Sequence, residues 1–400
     1  MNANIEILDH PSAEIVIAWD ADSSIDYSYG GTRMVHPETH LNDSQEICKR
    51  LMWSESLLKN KLINSALREG ALDHYADRLP GSFLDSTVGG ARCVIKPKHQ
   101  DLASVLVQPE HQAWESTISP IFEEIGNFLN QNQGKIKLTP DFGRFAGLAD
   151  VLNNFTPHSL GIECDKGGCG GKSSYSATGI IAALEVLGYD KRKADNVTLI
   201  GSAGAMGSDI LKYLQRQNYR NLAICDLAYD DPNSGITPPA ELLKCSSKPG
   251  AFTIDCLERG GLIIATSVGK ELENSLWEII PHGTIFLLAH NMAVPLGEAG
   301  KTLMQGLEGR DILAIPGQVL TLGGALTSRV EWFWRQSNPG VPFDKPLAHL
   351  VVADTIKFLV NKIQLIAQSS SITPYEAMLK YVDMEALMTT PIETVSYSGF

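Results

Sequence analysis

Apolar and polar residues alternate with a period of two along AEIVIAWD, residues 13–20, and this pattern predicts a half-buried strand. From Ser44 the spacing changes to three and four. SQEICKRLMWSESLLKNKLINSALREG therefore predicts a helical stretch that stops at Gly70. RCVIKP, from Arg92, reads as a strand, and Gly89 and Gly90 before it read as a tight turn open to a ligand. HQAWESTISPIFEEIGNFLNQNQGK is a second helical region, with Pro120 as an interruption. A glycine-rich loop, Gly167 to Gly171, follows.

Beyond that loop the pattern alternates between the two periods. SYSATGIIAALEVLG predicts a helix closed by Gly188. NVTLIG is a strand, GSDILKYLQRQN an amphipathic helix, and NLAICD, GLIIATSV, GTIFLLA and DILAIP are further strands. Strands alternating with helices imply a parallel sheet covered on both faces. The tail is helical again. PLAHLVVADTIKFLVNKIQLIAQSS forms one long helix and TPYEAMLKYVDMEALM a second. Thr373 caps the second, Pro374 stands in its first turn and Glu376 completes a capping box.

Composition narrows the classes. A chain of 400 residues, 44% hydrophobic and 20% charged, is globular and long enough for two domains. Its net charge of −13 excludes a nucleic-acid backbone as a general partner, while a local basic pocket for a small acid remains allowed. No apolar run reaches membrane-spanning length, and the acidic N-terminus lacks the basic start of a signal peptide. Seven scattered cysteines suit a reduced, cytoplasmic protein. Cys164 and Cys169 lack a second pair at metal spacing, so that segment is read as a loop, with no metal site. His36 and His40 are four apart, but Pro37 opposes a helix and makes this a loop too. EWFWRQ, around Trp332–Trp334, is read as an interdomain or oligomer contact.

VTLIGSAGAMGSDI stands where a strand meets a helix. Gly204 and Gly207 allow close approach and helix–sheet packing, and the helix start offers N–H groups to a pyrophosphate. Gly201, Ser202, Gly204, Ala205, Met206 and Gly207 are the candidate cofactor contacts, although Ser202 replaces the first glycine of the G-x-G-x-x-G pattern. Asp226 ends the next strand, where a carboxylate accepts ribose hydroxyls and repels a 2′-phosphate. NAD is thereby favoured over NADP. A nucleotide-free α/β domain with a tight turn is the alternative.

With the first half added, the chain resembles the glutamate/leucine/phenylalanine/valine dehydrogenase family, in order from about Tyr29 to Leu326. YGGTRM resembles the glycine-rich turn at the floor of that family's substrate pocket, which implicates Gly30 and Gly31. LLKNKL resembles its Y-K-N-A segment, so the carboxylate-holding lysine would be Lys59. VGGARCVIKP is similar to G-G-[GA]-K, with Arg92 where the catalytic lysine stands. GRFAGLADVLNN resembles G-R-Y-x-x-x-x-D-V, which makes Asp150 the acid/base aspartate. SSYSATGI resembles S-P-x-T-A-x-G, with Ser176 meeting the cofactor. ATSVGKEL and LAHNMAVP follow as nicotinamide-side turns and bring in Ser267 and Asn291. IPGQVLTLGGAL resembles P-D-Y-x-x-N-A-G-G, with Thr321 for the asparagine. The interval from Lys59 to Gly89 is longer than the family's, so an insertion lies near the site.

The resemblance implies an α/β fold of two domains. One is a substrate domain with a mixed sheet and helices, residues 1–172 completed by 346–400. The other is a Rossmann NAD-binding domain, 173–345, with the substrate in a cleft between them. It implies an NAD-dependent oxidoreductase of amino acid metabolism, acting on the C–N bond of an amino acid or derived imine, with a small-molecule amino acid, oxo acid or imine as substrate, and a homo-oligomer. Arg92 cannot lose its proton. It is therefore expected to clamp an anion while Asp150 moves protons, with imine reduction one outcome. Alternatively, Arg92 pairs structurally with an acid of segment 62–88. A non-catalytic dinucleotide-binding protein and a non-redox lyase or condensing enzyme are the competing functions.

Overall fold

The computed structural model describes residues 2–140, 142, 147–189, 195–246, 254–266, 276–290, 294–295 and 297–388. The fold is α/β, and the chain divides into two compact units.

The first unit comprises residues up to Lys172 and returns for Ala325–Lys345. Among its described residues, five strands form a mixed sheet in the order β1-β2-β4-β3-β5: β1 (Ala3–His10), β2 (Ala13–Asp20), β3 (Tyr27–Met34), β4 (Val88–Pro97) and β5 (Ile136–Pro140). β1 and β2 form a hairpin, β4 runs antiparallel to β2, and β3 lies parallel to both β4 and β5. Ile15, Ile17, Cys93 and Ile95 pack there against Ile121, Phe122 and Ile125 of the Trp114–Gln131 helix. Pro120 stands inside that helix rather than interrupting it. Ile118, Ile121 and Phe122, all fully buried, hold the helix to the sheet around the proline, and such packing outweighs the loss of one backbone hydrogen bond.

Gly30 and Gly31 lie within β3, and Gly89 and Gly90 within β4, so neither pair forms the expected turn. The reason at Gly90 is close approach: a Cβ there would stand 2.6 Å from the backbone nitrogen of Leu57, where a helix crosses the strand. That helical stretch runs as α-helix Leu41–Leu51, a π-helical turn Met52–Leu57 and α-helix Leu58–Arg68, and Gly70 (φ 78°) follows it.

The second unit comprises Ser173–Gly324 and the tail from Pro346. Among its described residues, six strands form an all-parallel sheet in the order β11-β10-β9-β6-β7-β8: β6 (Asn196–Ile200), β7 (Asn221–Cys225), β8 (Leu243–Lys244), β9 (Leu262–Ala265), β10 (Ile285–Leu288) and β11 (Leu313–Ile315). The chain leaves β6 toward β7 and later returns to β9 on the other side of β6. This places the switch in strand order at the carboxyl ends of β6 and β9, where doubly wound sheets bind ligands.

The tail departs from the expected assignment to the first unit. The Lys345–Ser370 helix packs along the Ser173–Val186 helix: His349 stacks on Tyr175 with ring centroids 4.5 Å apart, and Lys357 pairs with Glu185 at 2.7 Å. The following helix, Pro374–Tyr381, carries the capping box of Thr373 and Glu376. Segment 325–345 packs instead within the first unit. Arg329 is fully buried against Asn64 and Ser86, and Phe333 lies 6.1 Å from Tyr27. Trp332 and Phe333 are thus internal contacts of one unit. Among the described residues no helix is long and apolar enough to cross a membrane.

Candidate active site

In the first unit Gly31 and Arg92 lie on one face of the sheet, and Lys59 lies on the helix that crosses it. Asn60 is almost fully buried and donates from Nδ2 to the carbonyls of Tyr29 (3.2 Å) and Gly89 (2.8 Å). One turn later, Asn64 exchanges hydrogen bonds with both the N–H and the C=O of Val88. These two amides fix the helix to the glycine segments of β3 and β4 and so set Lys59, which is 8% exposed. Sequence reasoning passed over both asparagines, although their spacing of four beside Lys59 places them on the same helical face.

Arg92 is 5% exposed, and its Nη1 lies 3.2 Å from Glu55 Oε2. The guanidinium lies against Gly31: a Cβ built there would meet Arg92 Nη1 at 2.9 Å. Glu55 is 2% exposed, sits in the π-helical turn and also receives Arg33 at 3.5 Å. π-turns inside α-helices often mark functional positions. Here the turn carries an acid that answers the arginine, and that acid precedes Lys59 rather than lying in segment 62–88.

Asp150 sits in the first turn of the Leu148–Asn153 helix. Its Oδ1 accepts from Lys166 Nζ (2.9 Å) and from the N–H of Glu163 (3.3 Å). Its Oδ2 is buried with no hydrogen-bond partner. Asp150 and Arg92 are not paired with each other. Most of the motif before Asp150, Gly143 to Ala146, lies outside the described residues.

Lys172 was missed in the sequence. Its Nζ lies 2.9 Å from the Tyr29 hydroxyl and 2.7 Å from Thr139 Oγ1, and the two hydroxyls are 3.0 Å apart. The available signal was its place, between the glycine-rich loop and the SSYSATGI helix start. Lys137 was missed as well. It is 2% exposed, with Nζ 3.7 Å from the Trp332 ring centroid and 4.2 Å from that of Tyr27. Burial pushes its amine down to about 7. His158, against the other side of this cluster, is pushed down to about 4 by burial and by the Lys137 and Arg335 charges.

In the second unit the turn after β6 has the geometry of a dinucleotide cradle. Gly201 takes φ 81°, and a Cβ on Gly207 would fall 2.0 Å from the Gly201 carbonyl oxygen, so only glycine allows this turn against its helix. Gly204 precedes the Ala205–Arg216 helix, whose first turn includes Met206 and Gly207. Ser202 turns inward: its hydroxyl donates to Tyr229 Oη at 3.0 Å, and the residue is 1% exposed. Asp226 follows β7 and touches the turn directly, Oδ2 accepting from the Ala203 N–H at 2.8 Å and Oδ1 from Ala228 N–H at 2.9 Å. Thr266 ties the end of β9 to the same place through the Ile200 and Gly201 carbonyls. Ser176 is half-buried in the Ser173–Val186 helix, and Thr321 donates to the Gly317 carbonyl at 2.7 Å. Ser267 and Asn291 lie outside the described residues.

The residues present fit a dinucleotide: a glycine cradle that a Cβ would fill, a helix start for a pyrophosphate and a carboxylate at the neighbouring strand end for a ribose. No protein-family model matches the chain, and no curated protein matches it in sequence. Among solved structures it is similar to L-tryptophan dehydrogenase from Nostoc punctiforme (TM-score 0.65, 16% identity, 95% of this chain and 94% of that one). It is also similar to the hetero-hexameric glutamate dehydrogenase of Thermus thermophilus in its leucine-bound form (TM-score 0.65, 14% identity, covering 96% and 88%). The glutamate dehydrogenase of Peptoniphilus asaccharolyticus gives a TM-score of 0.62 at 15% identity, covering 96% and 89%. The chain therefore has the two-domain fold of the amino acid dehydrogenases, over almost its whole length.

Proposed function

We propose that the protein is an NAD-linked oxidoreductase acting on the C–N bond of an amino acid or of an imine derived from one. The observation that carries this reading is Asp226, whose carboxylate stands at the end of β7 and is bonded to the glycine turn through Ala203. It sits where a ribose would be bound and a 2′-phosphate repelled. NAD bound at that turn would supply a hydride acceptor. The chain's own residues supply the rest. Lys59 holds a substrate carboxylate, Arg92 with Glu55 provides an oriented charge against Gly31, and Asp150 stands as a proton acceptor steadied by Lys166. Gly204 to Gly207 receive the pyrophosphate. The substrate is a small molecule, the protein works as an oligomer in the cytoplasm, and neither nucleic acid nor membrane is a partner. The hetero-hexameric description of the Thermus protein supports assembly.

The test is a spectrophotometric screen of NADH oxidation with 2-oxo acids plus ammonium or primary amines, run beside NAD reduction with amino acids. Turnover with any member supports the reading. NADH binding without turnover across the screen supports a second reading, which the buried Arg92–Glu55 pair favours: a dinucleotide-binding protein whose arginine serves the fold. No binding of NADH removes both.

A further inference from the structure

An ionised carboxylate only accepts hydrogen bonds, whereas the hydroxyl pair of a ribose both donates and accepts. Asp226 takes hydroxyl protons from such a pair and returns none. The oxygens of the pair then need a donor, and the glycines of a G-x-G-x-x-G turn carry no side chain to supply one. This chain departs from that pattern at its first position, and the departure brings in a hydroxyl.

Ser202 occupies that position and is almost fully buried. Its N–H donates to the Cys225 carbonyl at 3.3 Å, which fastens the turn to the end of β7. Its hydroxyl reaches two oxygens, Tyr229 Oη at 3.0 Å and the Cys225 carbonyl at 3.4 Å. A serine has one proton to give, and the shorter contact is the one to Tyr229. With that proton on Tyr229 Oη, the phenol's own O–H has no acceptor among the described residues and is left for a ligand.

The backbone places this donor beside Asp226. Tyr229 ends the short 3₁₀ helix Leu227–Tyr229, which Asp226 caps by accepting from the Ala228 N–H at 2.9 Å. The Tyr229 carbonyl accepts from Lys244 at 3.3 Å. Acceptor and donor thus stand three residues apart and meet consecutive residues of the glycine turn, Asp226 at Ala203 and Tyr229 at Ser202. Tyr229 is half-buried and so remains reachable. The flank of the turn at Gly204 is open too: a Cβ there would meet only the Gly201 carbonyl oxygen, at 3.4 Å.

We propose that Tyr229, held by Ser202, is a ribose-binding residue of the dinucleotide site, its phenol donating to an oxygen of the adenosine hydroxyl pair whose protons Asp226 accepts. This rests on the NAD reading of Asp226. Ser202 is then a positioning residue. By donating to the phenol it fixes the ring and polarises the O–H that faces the ligand. The serine that breaks the glycine pattern serves the cofactor through its neighbour rather than by touching it.

The experiment reads binding and needs no turnover. NADH is titrated by fluorescence into the wild type, Tyr229→Phe, Ser202→Ala and Ser202→Gly. ADP and 2′,3′-dideoxy-ADP, which lacks both ribose hydroxyls, are then used to displace it, and the melting temperature of each ligand-free sample is recorded. Tyr229→Phe and Ser202→Ala are expected to weaken NADH and ADP by about 3- to 10-fold, the range of one neutral hydrogen bond. Ser202→Gly weakens them as well, although it restores the glycine of the motif. Dideoxy-ADP binds Tyr229→Phe and the wild type alike, and the melting temperature of Tyr229→Phe stays near wild type. Unchanged NADH affinity in Tyr229→Phe overturns the proposal. So does an equal loss for ADP and dideoxy-ADP, which marks the Ser202–Tyr229 bond as a tie within the fold; in both cases the NAD reading stands. A wild type that binds neither NADH nor ADP removes that reading, and the proposal with it.

Discussion

Replacing the amine of Lys137 by a methyl thioether tests how much a buried charge weighs on the first unit. The lysine is 2% exposed, and burial takes its amine from an ordinary 10.5 down to about 7. At about 1.4 kcal/mol for each tenfold change in proton affinity, that is ~5 kcal/mol of desolvation. The Tyr27 and Trp332 rings oppose it, since each attracts the charged form by about 1 kcal/mol. Desolvation wins. The sign follows from linkage: the folded-state affinity for the proton is lowered, so the unfolded chain binds more protons between about pH 7 and 10.5, and stability rises with pH across that window. From pH 7 to 9 the wild type gains about 1 to 2 kcal/mol from this group, the lower figure allowing for both rings. His158, pushed down to about 4, is neutral in both states over most of this range, and burial pushes Tyr27 up, beyond it. Lys137→Met removes the titrating group and keeps the volume. Denaturant unfolding followed by tryptophan fluorescence at pH 7, 8 and 9 gives the comparison. The stability advantage of the variant narrows by about 1 to 2 kcal/mol toward pH 9. Parallel pH slopes in the two proteins would refute the reasoning.

Three further outcomes are expected. Arg92→Met removes the guanidinium paired with buried Glu55, so it lowers stability by about 3–5 kcal/mol in denaturant unfolding while Arg92→Met/Glu55→Leu recovers most of the loss; a raised Michaelis constant with unchanged stability would restore the anion-clamp role. Asp226→Ala narrows the preference for NADH over NADPH in fluorescence titration, and a wild type that binds NADPH more tightly would remove the ribose role. Asp150→Asn keeps NADH affinity, and if Asp150 takes part in proton transfer its turnover falls by about 100-fold; unchanged turnover would take it out of the chemistry.

Much of the second unit was legible because its elements are local. A strand, a glycine turn and a helix occupy Asn196–Arg216 without interruption, and period and glycine spacing suffice to read them. The capping box of Thr373 and Glu376 is likewise written within four residues. The first unit was harder because its determinants are distant. The paired glycines of β3 and β4 read as turns, yet they serve close approach between elements that the chain order does not show to be neighbours. Glu55 became the partner of Arg92 through a π-turn, which no residue pattern announces. Lys172 lies 143 positions from Tyr29. Ser202 was read as a cofactor contact from its motif position, and only the fold shows its hydroxyl turned inward to Tyr229.

The return of segment 325–345 to the first unit has a bearing on biosynthesis. The carboxylate of Glu331 accepts the N–H groups of Gly161 (2.8 Å) and Cys169 (3.1 Å), and Arg329 Nη1 reaches the Asn64 side chain at 2.6 Å. A ribosome releases residues in order, so the first 172 emerge before these partners exist, and the intervening Ser173–Gly324 must be translated first. During that interval the amide groups near Gly161 lack their carboxylate, and the place of Arg329 is open. The first unit, begun before the second, therefore gains these ties only after all of Ser173–Gly324 has been made.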